Sequence, residues 1–191
     1  MIEKKVYILL TDTGTIFTKM IKLYTKNPYN HASIAFDSEL SEVYSFGRKS
    51  ARNPFIGGFV SENVKKGLFK RADCALYSIT VNELDVQKMR QYINEIQAQK
   101  DDYRYNFLGL FGFLFNKPLK RSKAFFCSQF VASVLNECNE IKFDKPLSLI
   151  APNDLKNIEP LRFEYEGKLS NYPTIQVEDT QRKWVPFPTT F

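Results

Sequence analysis

The sequence predicts a single domain that mixes β-strands with α-helices. Short runs of β-branched and aromatic residues bounded by turn residues are typical of strands, and longer segments with apolar residues at helical spacing are typical of helices. Both kinds of segment occur along the chain. With 191 residues, 43% of them hydrophobic, the chain is long enough to bury a substantial core. We expect one domain over residues 1–191.

Five segments have the composition of strands. They cover residues 6–10, 31–36, 42–46, 72–81 and 162–166. The second and third are expected to pair as a hairpin centred near Ser38. Residues 47–67 contain glycine, proline and aromatic residues, and they are expected to form a loop or another irregular segment.

The predicted helices have apolar residues at intervals of three and four. They cover residues 15–26, 82–100, 107–115 and 127–139, and a short one follows Pro152. Asn82 is a suitable N-cap for the second. The third is the most apolar stretch and is too short to span a bilayer. We expect it to pack on the helix at 127–139; the alternatives are the wall of an acyl-chain groove and a membrane-docking surface.

Charge and cysteine content exclude several classes of protein. The net charge is +6 and the pI is about 9.1, but the cations are scattered and no nucleic-acid motif is present, so no nucleic-acid partner is expected. Three cysteines and one histidine fit neither a disulfide framework nor a zinc site. We expect no metal and no cofactor. The apolar run at 6–10 is too short for a signal or a transmembrane segment, which favours a cytoplasmic protein.

A cysteine at the predicted start of a helix is the first candidate for chemistry. Cys127 follows a basic, turn-like stretch at residues 117–123. A thiol at a helix N-terminus lies near free N–H groups and the positive end of the peptide dipoles, and both favour the thiolate. Cys127 is therefore predicted to be a nucleophile, against the alternative of a small buried hydrophobic residue.

The single histidine of the chain is the candidate base for this nucleophile. His31 opens a predicted strand, and a cysteine nucleophile needs such a base. A third group usually fixes the ring and tautomer of a catalytic histidine. With the hairpin centred as above, Ser45 lies opposite His31 and is the first candidate for this role. A register shifted by one residue would bring Tyr44 or Phe46 there instead.

Two stretches together carry a resemblance to a known family. At residues 30–35 a histidine opens a strand, and at residues 126–131 a cysteine opens a helix. These stretches resemble the circularly permuted papain-like hydrolases of the NlpC-type superfamily, a group that includes YiiX-like proteins and relatives of lecithin:retinol acyltransferase. In this group the histidine precedes the cysteine, as His31 precedes Cys127 here. Residues 152–155 are also similar to a proline-led segment that follows the nucleophile helix in these proteins.

The resemblance implies an α+β fold in which an antiparallel sheet packs against the nucleophile helix. It implies a core at about residues 5–158 and a C-terminal extension at 159–191. It also implies a third polar residue on the strand after the histidine, where Ser45 matches best and Tyr44 and Glu42 are the alternatives. Cys127, His31 and Ser45 are thus the expected catalytic residues.

The function implied is that of a cysteine-dependent hydrolase, an amidase, peptidase or thioesterase that works through an acyl-enzyme. Its substrate is expected to be peptide-like or a lipid acyl group, with peripheral membrane contact as a further expectation. Three alternatives stay open. The first is a lipid acyltransferase on the same fold, and the second is a catalytically silent binding module that uses the same groove. The third is a basic nucleic-acid binder, which the scattered cations disfavour.

Overall fold

The computed structural model describes residues 2–14, 28–49, 57–106 and 123–173. The strands are β1 (Glu3–Asp12), β2 (His31–Ala35), β3 (Val43–Arg48), β4 (Gly57–Ser61), β5 (Asp73–Asn82), β6 (Arg104–Tyr105), β7 (Ala124–Phe125) and β8 (Arg162–Lys168). The α-helices are α1 (Glu83–Ala98), α2 (Cys127–Leu135) and α3 (Pro152–Leu155). Short 3₁₀ turns cover Gly67–Arg71, Leu147–Leu149 and Leu169–Asn171.

Six strands form one antiparallel sheet in the order β4-β3-β2-β1-β5-β8. The two longest strands, β1 and β5, pair along their full lengths, from Glu3 opposite Asn82 to Asp12 opposite Asp73. The strands β6 and β7 form a separate parallel pair. The molecule therefore has the α+β architecture that the sequence predicts, with an antiparallel main sheet.

Side chains of β1 alternate between two hydrophobic cores, as the pleat of a strand requires. Val6 and Ile8 belong to the larger core, which also contains buried residues of α1 and α2. Tyr7 and Leu9 belong to a smaller core on the other face of the sheet. Burial on both faces explains why the sequence of this strand is a continuous apolar run rather than an alternating one.

The helix α1 begins directly after β5 because Asn82 caps it. The Asn82 side chain accepts a hydrogen bond from the backbone N–H of Asp85 (2.9 Å), as predicted for this residue. Apolar residues at helical spacing, among them Met89 and Ile93, are fully buried against the sheet.

In the described ranges, no helix is long and apolar enough to cross a membrane.

Aromatic side chains hold α2 against the sheet. The ring of Phe130 in α2 lies 5.2 Å from that of Phe46 in β3 and 5.8 Å from that of Phe59 in β4, between ring centroids. All three side chains are buried. Because buried aromatic pairs of this kind contribute both area and geometric specificity, they fix the position of the helix and of Cys127 at its start.

Most of the predicted elements are confirmed. In the described ranges the strands β6 and β7 were not predicted, and two other segments differ from the prediction. Residues 47–67 contain the strand β4, where an irregular segment was expected. The helix α2 ends at Leu135 and not near residue 139, because the chain then makes consecutive turns. The predicted helices at 15–26 and 107–115, the basic residues 117–122 and the tail from residue 174 lie outside the described residues.

The predicted register of the β2–β3 hairpin is wrong by two residues. Ile34 pairs with Tyr44, so the turn is centred one residue later than Ser38. The side chain of Asp37 accounts for the shift, because its carboxylate accepts hydrogen bonds from the backbone N–H groups of Ser41 (2.9 Å) and Glu42 (2.8 Å). An aspartate that closes a loop in this way sets the loop length and hence the register.

Candidate active site

Cys127 is the first residue of α2, and the chain enters the helix in an extended conformation at Phe126. The parallel β6–β7 pair holds the preceding backbone, with the N–H of Asn106 donating to the carbonyl of Phe125 (3.0 Å). The Phe126 side chain makes no capping hydrogen bond. The N–H groups of the first helical turn, which have no intrahelical acceptor, are therefore oriented toward the end where the thiol lies.

His31 lies in hydrogen-bonding contact with Cys127. It is the first residue of β2 and pairs with Thr11 on β1. The strand β2 packs directly against α2, which brings the start of the strand to the start of the helix. The structure thus brings together the two side chains that the sequence predicts as a catalytic pair.

A carboxylate that the sequence analysis did not select holds the other side of the imidazole. Oε1 of Glu62 lies 2.7 Å from Nε2 of His31, and Oε2 accepts a hydrogen bond from the hydroxyl of Ser33 (2.5 Å). The side chains of His31 and Glu62 are only 14% and 7% exposed. Because Nε2 faces Glu62, Nδ1 is the ring nitrogen available to Cys127.

The charge environment favours the imidazolium form of His31. Burial alone would disfavour the charged ring, but the Glu62 carboxylate and the hydrogen-bonding contact with Cys127 outweigh it and raise the pKa of His31 from 6.5 to about 10. A histidine in this state carries a proton at neutral pH. It can therefore donate that proton to a leaving group.

Ser45 does not contact the imidazole. It is fully buried, and its hydroxyl donates to the backbone carbonyl of Ala32 (2.7 Å). The two alternatives are also engaged elsewhere, because the hydroxyl of Tyr44 donates to Glu42, and the carboxylate of Glu42 binds Arg90. The register shift in the hairpin explains this placement, and Glu62 takes the position expected for Ser45.

Gly47 on β3 lies beside the point where Glu62 meets His31. Glu62 follows β4 and must cross β3, which lies between the two strands. A Cβ atom added to Gly47 would lie 3.6 Å from Oε1 of Glu62 and 3.5 Å from Cε1 of His31. A methyl group at this position would thus make only ordinary van der Waals contacts, and the carboxylate and the imidazole meet next to Gly47.

The phenol of Tyr105 is a third polar group at the thiol. Tyr105 makes a hydrogen-bonding contact with Cys127, and burial, together with the charge and hydrogen bond of Cys127, raises the pKa of Tyr105 well above its ordinary value. The phenol consequently remains protonated and acts as a donor. Gly57 permits this placement, because a Cβ atom added there would lie only 2.7 Å from Cβ of Tyr105.

The other two cysteines lie in different surroundings. Burial raises the pKa of Cys74 to about 12, and it also raises the pKa of Cys138, whose Sγ lies 3.4 Å from Oδ2 of Asp85. All three cysteines are buried, but the raised pKa disfavours the thiolate of Cys74 and Cys138 and makes these two poor nucleophiles. Within the described ranges, no three His, Cys, Asp or Glu side chains are grouped so that they could hold a metal ion.

Glu62 was not predicted as a site residue because the segment at 47–67 was expected to be irregular. Residues 57–61 include two glycines, which mask the alternation of a short strand. The available signal was an isolated acidic residue directly after this run. Only the strand order, with β4 beside β3, shows that this residue can reach the histidine.

Comparisons of the chain with protein-family models, with curated proteins and with solved structures find no match. The chemistry of the site therefore rests on its geometry. A thiol, an imidazole and a carboxylate stand in series, with a phenol beside the thiol. Such a series can form a nucleophile, hold its proton and orient the group that carries it.

Proposed function

We propose that this protein is a cysteine-dependent hydrolase that cleaves an amide or thioester bond through an acyl-enzyme. The observation that carries the proposal is the placement of the His31 ring between Glu62 and Cys127. A permuted papain-like arrangement is part of the proposal. It is supported by a histidine strand that precedes the cysteine helix and by the packing of that helix on an antiparallel sheet.

In the first step, Sγ of Cys127 attacks the carbonyl carbon of the substrate. The proton that the thiol gives up resides on Nδ1 of His31. When the tetrahedral intermediate collapses, the bond to the leaving group breaks and His31 donates this proton to the departing nitrogen or sulfur. The acyl group remains on Cys127 as a thioester.

In the second step, water replaces the leaving group. His31, now neutral, accepts a proton from the water as its oxygen attacks the thioester carbon. Collapse of this intermediate breaks the carbon–sulfur bond, releases the carboxylic acid and leaves Cys127 as a thiolate beside the protonated His31. Glu62 acts as a positioning residue, because it fixes the ring and stabilises its charged form.

The negatively charged oxygen that develops in both steps must be stabilised by hydrogen-bond donors. The backbone N–H groups at the start of α2 supply one kind. The phenol of Tyr105 supplies a second, since it is already within hydrogen-bonding contact of the sulfur. Two donors of this kind are what acyl transfer requires of an oxyanion site.

The proposal is tested by trapping the acyl-enzyme with p-nitrophenyl acetate. We expect a burst of p-nitrophenolate and a mass gain of one acetyl group on Cys127, followed by slow loss of that group to water. The Cys127→Ser variant should give neither, whereas Cys74→Ser should behave like the wild type because Cys74 lies on β5, separated from His31 by β1. Acetylation spread over several residues, or none on Cys127, would refute the proposal.

A further inference from the structure

A basic loop next to the candidate site has the features of a membrane-docking element. This loop, residues 63–72, connects β4 to β5 and contains the 3₁₀ turn Gly67–Arg71. It carries four cations and no acidic residue; the cations are Lys65, Lys66, Lys70 and Arg71. The acidic residues on either side are already engaged, because Glu62 binds His31 and Asp73 binds Lys168.

An exposed leucine lies at the tip of the basic loop. Leu68 is 44% exposed, and it lies between the two pairs of cations in the sequence. Gly67, just before it, has a φ of +60°, and a Cβ atom added there would meet nothing within 4 Å. The glycine thus makes a tight turn in open space, and that turn leaves the leucine side chain on the outside.

The base of the loop is anchored. Val64 and Ala72 are each 2% exposed, and Phe69 packs against the smaller core. The N–H of Ala72 donates a hydrogen bond to the carbonyl of Phe69 (3.0 Å). The carbonyl of Ala72 accepts a hydrogen bond from the N–H of Leu169 (3.0 Å). The loop therefore presents Leu68 and its cations in a fixed arrangement, which reduces the entropy lost on binding.

We propose that the basic loop docks on an anionic lipid surface, with Leu68 entering the interface and the flanking cations contacting the headgroups. The charge complements an anionic surface, and each Lys or Arg near such a surface strengthens binding roughly fivefold. An exposed leucine favours a bilayer over a nucleic acid or a polyacidic peptide, since a bilayer offers a continuous hydrocarbon layer directly behind its anionic groups.

Docking in this way would place the bilayer beside the catalytic pair. The ring of Phe69 in the loop lies 6.1 Å from the ring of His31, between centroids. The site would then take an acyl substrate carried by the membrane. This last consequence rests on the proposed function, whereas the docking itself does not depend on catalysis.

The test is sedimentation of the full chain with vesicles of phosphatidylcholine alone or mixed with phosphatidylserine. We expect binding to the mixed vesicles only, and we expect it to weaken as salt is added. The double variant Lys66→Gln/Lys70→Gln should lose roughly fivefold for each charge. Leu68→Asn should also weaken binding by roughly fivefold to tenfold, through loss of an apolar contact.

Matched controls make the test specific to the loop. Lys142→Gln/Lys156→Gln removes the same charge from exposed positions elsewhere, and Leu84→Asn changes a leucine that is 64% exposed on α1. These variants, and Cys127→Ser, should bind to the mixed vesicles like the wild type.

The proposal is overturned if the protein does not bind the mixed vesicles, if it binds neutral vesicles equally well, or if the control variants lose as much binding as the loop variants. Tight binding to RNA or polyglutamate that Leu68→Asn leaves unchanged also overturns it. Binding by Cys127→Ser keeps this result separate from any failure of the catalytic proposal.

Discussion

Oε1 of Glu62 lies 2.7 Å from Nε2 of His31, and the second carboxylate oxygen is held by Ser33. The interaction couples the end of β4 to the start of β2 across the intervening strand. Against the opposing effect of burial, this carboxylate and the contact with Cys127 raise the pKa of His31 from 6.5 to about 10. A substitution at Glu62 should therefore change the pKa of His31 before it changes other properties of the protein.

Replacing Glu62 with glutamine should lower the pKa of His31 from about 10 toward 6.5, because the amide keeps the hydrogen bond but removes the charge. His31 is the only histidine in the chain, so its ring signals in NMR spectra of the untagged protein need no assignment. A pH titration of those signals in wild type and Glu62→Gln measures the shift.

The matched control is Ser45→Ala. Its hydroxyl bonds to the carbonyl of Ala32 and not to the imidazole, so this variant should leave the titration of His31 unchanged. An equal shift in Ser45→Ala and Glu62→Gln would mean that the shift reflects general loosening of the sheet. A wild-type His31 that titrates near 6.5 would contradict the ion pair itself.

The raised pKa of His31 also links stability to pH. His31 binds its proton with a pKa of about 10 in the folded chain and about 6.5 when unfolded. Its contribution to the free energy of unfolding is therefore complete below about pH 6.5 and is lost as the pH rises through about 10. Urea unfolding measures the free energy of unfolding of wild type and of Glu62→Gln, and the difference between the two should decrease as the pH rises over this range. A gap that stays constant or widens would disprove the linkage.

Gly57→Ala should destabilise the protein by about 1–3 kcal/mol, the usual cost of overpacking. The added Cβ atom would lie 2.7 Å from Cβ of Tyr105 and 3.0 Å from the carbonyl of Gly47. Gly47→Ala is the matched control, since its Cβ atom would meet no atom closer than 3.5 Å. Urea unfolding of both variants checks the contrast, and equal losses would argue against a close approach of β4 and Tyr105.

Tyr105→Phe should slow formation of the acyl-enzyme by on the order of 100-fold, the cost of one oxyanion donor. The ring stays, so the free energy of unfolding should change little by comparison. Burst kinetics with p-nitrophenyl acetate measure the first quantity and urea unfolding the second. If the acylation rate does not change, the phenol only packs against the thiol.

The sequence was sufficient to predict the parts of the site that depend on local signals. Cys127 opens a helix and His31 opens a strand, and both positions follow from turn residues and apolar spacing nearby. Glu62 could not be found in this way. Its role depends on the order of strands in the sheet and on a hairpin register that the side chain of Asp37 shifts.

The fold shows the same division. The strands β1 and β5 and the helix α1 were predicted because each has a long hydrophobic pattern or a capping residue. The strand β4 was not, because Gly57 and Gly58 interrupt its pattern. Cβ atoms added at these glycines would lie 2.7 Å from Cβ of Tyr105 and 2.9 Å from the carbonyl oxygen of Tyr103, and both tyrosines lie far away in the sequence. Contacts between distant segments determine which residue is tolerated at such positions, and a local sequence pattern cannot predict those contacts.

The most direct test of the central claim is the rate at which iodoacetamide alkylates Cys127 as a function of pH. Wild type and His31→Ala should be compared, with Cys127→Ser as the blank and the modified residue identified by mass spectrometry. We expect rapid alkylation of Cys127 at neutral pH and a markedly slower reaction in His31→Ala, because that variant lacks the base that accepts the proton of the thiol. An inert Cys127, or one that reacts equally fast without His31, would contradict the account.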